Sequence, residues 1–443
     1  IRHNPNSAIA KIVSEGTLIN TFTNDDGELH PWSTWPTVHR GVDNRVHNIR
    51  FINQDLNKAN KYKAIWEILS ENKIDVAVFG SLQSFPPKKN KYYKFYLPDT
   101  FAPSPEAYPN ELSIFQDFNL SLVGENKAIS RKISIKNIKD FIYLIAKGII
   151  SKRSAFKAFL QILKEKINSK YKTERSMIQN ILSFDIYFKY LNKYQPTFST
   201  YFTNHLAGMM HRYWKNLFPN DFGLNKNQID MFHAKSILKA MRLADKNLRK
   251  LILFSKKNNY ELLVISSMGQ ASIDRGEYIP ELVLRNFKQF IGELNLNSEN
   301  YKLLPAMQPD YCIESRDRES MDELRDKIKL LTDKTGNYLF IERYKPEGLK
   351  VNFSLKNLKS VSKSGNCKIN NINIKIEDMG LEFIRRDIGT AYHIPQGIMA
   401  WYGDKSYILK PFIREDIDTC RICPTILKIY GIDIPSYMKA PLI

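Results

Sequence analysis

Hydrophobic and polar positions along this chain fall into two periods, one helical and one of short buried runs, and the two alternate. Lys61 to Asn72 has its apolar residues at helical spacing, and Asp75 to Gly80 is an apolar run closed by glycine. Together they predict a helix feeding a parallel strand. Tyr93 to Pro109, rich in proline and aromatic residues, reads as an irregular loop that turns at Leu97-Pro98-Asp99. Helices fill Leu112 to about Tyr194, and Phe198 to Phe202 is the next strand. Asp230 to Asn258 is a long helical pattern carried by Ile237, Leu238, Met241, Leu243, Leu248, Leu251 and Ile252. It runs into Glu261-Leu-Leu-Val-Ile-Ser-Ser-Met-Gly-Gln270, four apolar residues followed by a turn of small ones. That pattern suits a buried parallel strand whose carboxyl end opens into a crevice, where α/β sheets place their chemistry.

From Tyr338 to Glu377 the period shortens, as in Tyr338-Leu-Phe-Ile-Glu342 and the alternating Asn371-Ile-Asn-Ile-Lys-Ile376. These are β-hairpin signals and predict a small antiparallel lobe. A helix from about Cys423 to Tyr430 closes the chain. With no internal repeat or low-complexity linker, the expectation is one elaborated α/β domain over 1–443, with a central, mostly parallel sheet between helices. A basic helical insertion is expected at 110–195 and a β-hairpin insertion at 338–380.

At 43% hydrophobic the chain can bury a large core, while its longest apolar run, Phe141 to Ile150, holds a lysine and is about half the length of a spanning helix. No transmembrane helix and no signal peptide are expected, and four unevenly spaced cysteines fit a reducing, cytoplasmic setting. Cys420-x-x-Cys423 lacks a second pair, so a buried pair is a simpler reading than a zinc or redox site. The formal charge of +20 is uneven, because from Glu125 to Lys172 thirteen Lys or Arg stand against three acids. There Ala155, Phe156, Phe159, Leu160, Ile162, Leu163 and Ile167 recur at helical spacing, which predicts amphipathic helices with a basic outer face. Such a face either attracts anionic lipid, glycan or nucleic acid, or is a lysine-rich solvated surface. Peripheral membrane contact through 125–172 is the expectation carried forward, without specific nucleic-acid binding.

Six of the eight histidines, His30, His39, His47, His205, His211 and His393, fall at predicted turns or element ends. Histidine is a common acid, base and metal ligand, and also a common structural residue. In His30-Pro-Trp-Ser-Thr-Trp-Pro-Thr-Val-His-Arg-Gly41 the hydroxyls of Ser33, Thr34 and Thr37 are held among rigid neighbours. Each suits a nucleophile if a base or metal activates it, or a helix cap if none does.

The order of these segments resembles the alkaline phosphatase superfamily, nearest its phosphodiesterase and nucleotide pyrophosphatase branch. Tyr392-His-Ile-Pro-Gln-Gly397 with Trp401-Tyr-Gly403 is similar to the family's closing His-x-Pro-x-Gly turn, and Cys423-Pro-Thr-Ile-Leu427 to its last helix. The resemblance implies that Thr34 stands at the nucleophile position and that His211 and His393 stand at metal-ligand positions. It also implies two metals, typically zinc, bound mainly by Asp and His. Ala207, Ser267 and Met268 occupy positions where the family has Asp, Asp and His, and the usual first strand ending in Asp-Gly is not seen near Ile1. A complete two-metal site is therefore not expected, since catalytic zinc ordinarily has three protein ligands. The cofactor is left open between none and one zinc or other divalent ion.

Three functions compete. The first is an enzyme acting on a phosphate or sugar-phosphate centre, with Thr34 or a substrate hydroxyl as nucleophile and His39, His205, His211 or His393 as base. Its anionic substrate, a phosphate ester, sugar phosphate or glycan, would meet Asn204, Ser267, Gln270, Arg40 and His47. The second is an inactive glycan-, nucleotide- or membrane-binding protein of the same fold. The third is a conventional metal-dependent phosphodiesterase.

Overall fold

A computed structural model describes residues 1, 4–122, 135–276, 279–346, 348–384, 389–412 and 415–443. The fold is mixed α/β, with helices packed around sheets that contain parallel strands. The basic segment expected at 125–172 lies partly outside the described residues, at 125–134.

Helix α1 (Ala8–Glu15) starts where the Ser7 hydroxyl accepts from Ala10 N at 3.3 Å, and strand β1 (Thr17–Phe22) follows. Helix α2 (Pro31–Arg40) begins on a proline, whose missing N–H is not needed in a first turn, and stops at Gly41 with φ 66°. After α3 (Asn44–His47) and α4 (Ile65–Glu71) comes β2 (Val76–Phe79), buried at every residue. Strand β3 (Tyr93–Leu97) lies parallel beside it, so the segment expected as an irregular loop opens with a strand. Its aromatic residues are good strand formers once β2 supplies an edge, and Pro98 ends the run.

Helices α5 (Asn110–Leu122), α6 (Ile135–Ala146), α7 (Lys152–Ile167) and α8 (Arg175–Tyr194) fill the stretch read as helical. Then β4 (Phe198–Tyr201) pairs parallel with the other edge of β2, completing the sheet β3-β2-β4. Helices α9 (His205–Leu217) and α10 (Met231–Asn258) lead to β5 (Leu262–Ile265) and β6 (Gly269–Ser272).

The strands expected at 338–380 belong to a larger body with its own core. It runs through β7 (Glu281–Leu284), α11 (Phe287–Glu293), β8 (Tyr301–Leu304), β9 (Asp310–Ser315), α12 (Arg318–Lys329), β10 (Leu331–Thr332), β11 (Phe340–Glu342), β12 (Lys350–Leu355), α13 (Lys359–Ser364), β13 (Asn366–Ile369), β14 (Ile372–Lys375) and β15 (Leu381–Ile384). Strands β11-β12-β9-β8 form one sheet, and Phe290, Tyr311, Phe353 and Leu339 are buried together against it. The β13–β14 turn uses Asn370 and Asn371 at φ 48° and 68°, the left-handed pair that a two-residue hairpin turn requires.

The chain then returns to the first sheet region through β16 (Ala391–Ile394), β17 (Gln396–Tyr402), β18 (Ile417–Asp418) and α14 (Ile422–Ile429). Strand β17 is antiparallel to both β1 and β5, and β18 is parallel to β1, giving the order β18-β1-β17-β5. The Trp401 indole donates to Glu261 Oε2 at 2.6 Å and pins β17 to the start of β5.

Among the described residues no strand pairs with the outer edge of β4 or of β5. Both edges border one mainly apolar cavity of about 1180 Å³, lined also by Trp35, His39, Leu251 and Phe254. Phe198 N and Phe202 N donate to Asp75 and Phe79 of the β2 side, so the alternate amides of Ser199 and Tyr201 point away from β2. Ser266 N donates to Ile398 O, which by the same alternation turns the Leu263 and Ile265 amides away from β17. Native-state hydrogen exchange should therefore show these four amides exchanging at least about tenfold faster than those of Val78 and Val264, which face ladder partners. Equal protection of the two sets would contradict the open edges.

Candidate active site at the strand ends

Strand β16 is held by β6, with His393 opposite Gln270 and Ile394 opposite Gly269. Gly269 is required by close approach, since a Cβ there would run into the Gln396 carbonyl and lie 3.2 Å from Ile394 Cγ1. The other flank of β16 meets α9, where Thr390 N donates to His211 O at 2.7 Å. These two contacts bring His211 and His393 together from positions far apart in the chain.

His211 Nδ1 is 2.9 Å from Ala391 O, and His393 Nδ1 is 2.7 Å from Leu29 O. A carbonyl only accepts, so each Nδ1 carries the hydrogen and each Nε2 is left with a lone pair. The two Nε2 atoms are 3.0 Å apart. Burial pushes both pKa values down, with Arg275 and Arg212 adding to the effect at His211 and the His211 and His30 rings adding to it at His393, which falls to about 3, and this favours the neutral rings. Two facing lone pairs at that distance repel unless one proton or a cation lies between them.

Charged and aromatic groups surround the pair. Tyr392 donates its hydroxyl to Glu28, Arg343 Nη1 donates to Glu28 Oε2 at 2.7 Å, and His30 Nε2 lies 3.6 Å from the same carboxylate. The Glu28 carboxyl is held well below the usual range, first by its hydrogen bond with His30, with burial opposing and Tyr392 and Arg343 assisting. His30 stacks on Trp32 with ring centres 4.4 Å apart and meets His393 edge-on at 6.5 Å. The exposed Arg275 guanidinium lies 5.0 Å from the Tyr392 ring centre. Glu28, Tyr392, Arg343 and Arg275 are not legible as site residues in the sequence, because no local pattern announces a carboxylate and an arginine that meet across more than 300 residues.

Thr34 and Ser267 do come together, their hydroxyl oxygens 2.8 Å apart, and Thr34 Oγ1 also lies 3.2 Å from His30 O. Both are buried, and no imidazole or carboxylate contact to Thr34 is found among the described residues. Gln270, opposite His393 in the β6–β16 ladder, donates to Ala207 O at 3.3 Å and has an Oε1 without a partner among the described residues.

The remaining expected site residues, and Thr37, make no hydrogen bond to the His211–His393 pair among the described residues. Thr37 Oγ1 donates to Asp25 at 2.7 Å and is 3.0 Å from His47 Nε2, while His47 Nδ1 accepts from Ile49 N at 2.9 Å. The tautomer that accepts at Nδ1 carries its proton on Nε2, so neutral His47 donates to Thr37 and cannot act as its base. Burial raises the Asp25 carboxyl to about 6 and lowers His47 to about 3. Arg40 is buried and donates to Ala59 O at 3.0 Å and to Tyr62 O, which makes it a brace for the loop before α4. His205 bonds Thr203 Oγ1 at 2.8 Å and Ala240 O at 3.2 Å, using both ring nitrogens. His39 packs between Trp35 and Trp66 and borders the cavity, with no partner for Nδ1 among the described residues. Asn204 is exposed at the start of α9, where its side chain makes no cap.

No cluster of three or more His, Cys, Asp or Glu able to hold a metal occurs among the described residues. His211 and His393 supply two nitrogens, one ligand short of an ordinary catalytic zinc, so the residues present do not fit the two-metal centre. Cys420 and Cys423 are buried and free, and burial pushes both thiols up, which leaves them protonated. Among the described residues no helix is long and apolar enough to cross a membrane.

No protein-family description matches the chain, and no curated protein does. Among solved structures it is similar to human ectonucleotide pyrophosphatase/phosphodiesterase 5, with 12% identity over 97% of this chain and 90% of that one and a TM-score of 0.36. It is also similar to the murine protein of the same name at 12% identity, 97% and 91% coverage and a TM-score of 0.35. An inactive variant of the murine protein in complex with AMP gives 11% identity, the same coverage and a TM-score of 0.37.

The buried histidines make stability depend on pH. Folded His39 stays neutral down to about pH 3 because burial and then Arg40 oppose its charge, whereas an unfolded histidine takes its proton near pH 6.5. Between those values the unfolded chain binds more protons, so His39 removes about 1.4 kcal/mol of stability for each pH unit of acidification. Urea unfolding of His39→Phe should show a pH slope flatter by about that amount from pH 6 to pH 4, and an unchanged slope would contradict a neutral buried His39.

Proposed function

We propose that this chain is an alkaline phosphatase-like enzyme acting on a phosphate or sugar-phosphate centre, by phosphodiester hydrolysis or group transfer. In this reading His211 and His393 form the acid/base centre and no complete two-metal site is used. The observation that carries it is the convergence of two bare Nε2 atoms at 3.0 Å, each fixed by a carbonyl behind it. A pair oriented in this way takes up one proton and hands it on without rearranging its anchors. In the neutral state it withdraws a proton from the attacking water or hydroxyl, and in the singly protonated state it returns that proton to the leaving oxygen. Arg275 and Arg343 supply positive charge beside Tyr392 and Glu28, which favours an anionic substrate. Gln270 Oε1 adds an acceptor for a substrate hydroxyl.

Thr34 is closed in by Ser267 and the His30 carbonyl, so this reading gives the attack to water or a substrate hydroxyl. The same closure favours the alternative, a binding protein without turnover. His211→Ala should lower kcat on an aryl phosphodiester by about 10²–10⁴-fold with a smaller change in KM, at unchanged metal content of the purified protein. Two bound metals per wild-type chain would overturn the proposal. Absence of turnover on phosphate, sulfate and sugar-nucleotide donors would decide for the binding protein.

A further inference from the structure

Helix α7 is turned inside out relative to its sequence pattern. Its N-cap is Ser151, and the residues it buries are Ser154 and Gln161, with Glu165 half-buried on the same side. That polar side is well satisfied, because Gln161 Nε2 donates to Tyr171 O at 2.6 Å and Arg175 makes a two-pronged ion pair with Glu165 at 2.8 to 3.1 Å. Phe156, Phe159, Leu160, Leu163 and Ile167 recur at helical spacing on the opposite side and are exposed, Phe156 by 60% and Ile167 by 85%. The stripe taken from the sequence as the buried face therefore points outward, and the basic residues flank it.

Lys152 heads that stripe at its N-terminal end, Lys166 borders one side of it, and Arg153, Lys157 and Lys164 border the other. Ion pairs near α7 join Arg175 to Glu165 and Lys170 to Asp230, and none among the described residues involves those five cations. Lys157 also faces Arg153, Lys246 and Lys250, whose charges add to burial in pushing its ammonium down.

We infer that the outer face of α7 docks on an anionic lipid surface, with Phe156, Phe159, Leu160, Leu163 and Ile167 entering the interface and the flanking cations meeting lipid headgroups. An exposed apolar stripe rimmed by lysine and arginine is the chemistry of a helix that lies in the plane of a bilayer. Charge complementarity selects this occupant over a second copy of the chain, because two such faces brought together would oppose cation to cation with no acid between them.

The full chain should co-sediment with vesicles of phosphatidylcholine and phosphatidylserine at roughly 3:1, bind pure phosphatidylcholine vesicles at least about tenfold more weakly, and lose affinity as salt rises. Phe156→Ser, Phe159→Ser and Leu163→Ser combined should weaken binding to anionic vesicles by at least about tenfold while the circular dichroism spectrum stays native. If that variant does not fold, Lys152→Gln, Arg153→Gln and Lys157→Gln combined decides, by a similar loss confined to anionic vesicles. Failure of the wild-type chain to bind anionic vesicles at low salt would overturn the proposal, as would undiminished binding by the variants. Self-association through α7 without vesicle binding, seen as a concentration-dependent dimer in sedimentation, would overturn it too.

Discussion

The arrangement depends on the return of the chain's end onto the segment that follows β5. Strand β17 enters between β1 and β5, and β16 pairs with β6, so residues 391–402 stitch the first strand of the chain to strands from its middle. The approach is close enough to demand glycine on both sides. A Cβ at Gly397 would lie 2.8 Å from both Ser266 O and Thr21 Oγ1, and one at Gly269 would meet the Gln396 carbonyl. Once this seam is formed, His393 has no freedom along its strand, and its Nδ1 reaches Leu29 O while its Nε2 reaches His211. The candidate site is a consequence of strand register more than of any local motif.

Desolvation then decides which protons the site holds. In water an imidazole is half-charged near neutral pH, but here His39, His47 and His205 are buried and His211 and His393 half-buried, among aromatic rings, helix backbones and each other. His39, His47, His205 and His393 are all pushed down, to values between about 3 and 4. For His47 and His205 both ring nitrogens already have partners, so neutrality simply locks a tautomer. For His211 and His393 neutrality leaves a contradiction, two acceptors face to face, and only an added proton or cation resolves it. That difference sets His211 and His393 apart from the other histidines, and it is invisible until the partner of every nitrogen is known.

The regular elements were largely legible in the sequence and their associations were not. The β2 and β4 strands, the long helix to Asn258 and the closing helix were read from period and apolar content, because each is long enough or buried enough for its own pattern to decide. Strand β3 was missed because its aromatic-rich sequence needs the β2 edge to become a strand at all. The hairpin signals at 366–375 were real, yet they gave no hint that the same core extends back to Leu282. Of the residues the sequence offers as candidates, His211 meets His393, Ser267 meets Thr34 and Gln270 stands opposite His393, whereas Arg40, His47 and His205 have equally suggestive sequence contexts and are tied to backbone or to neighbouring hydroxyls.

Helix α7 shows the limit of periodicity most sharply. A hydrophobic stripe at 3.6-residue spacing establishes that a helix has two faces, and the usual inference that the apolar face is inside assumes a core to receive it. Here the polar side is the inner one because Tyr171 and Arg175, just beyond the helix, supply the acceptor for Gln161 and the cation for Glu165. Those are directional contacts that a wrong rotation would forfeit, while an apolar stripe can be satisfied by any nonpolar surroundings. Specific polar anchoring on one side thus fixes the orientation. It presents to the outside a face with apolar residues at its centre and positive charge at both margins. A purely solvated surface would show charge at the centre of that face, and the inverted order, apolar within cationic, is what a charged apolar boundary such as an acidic membrane complements.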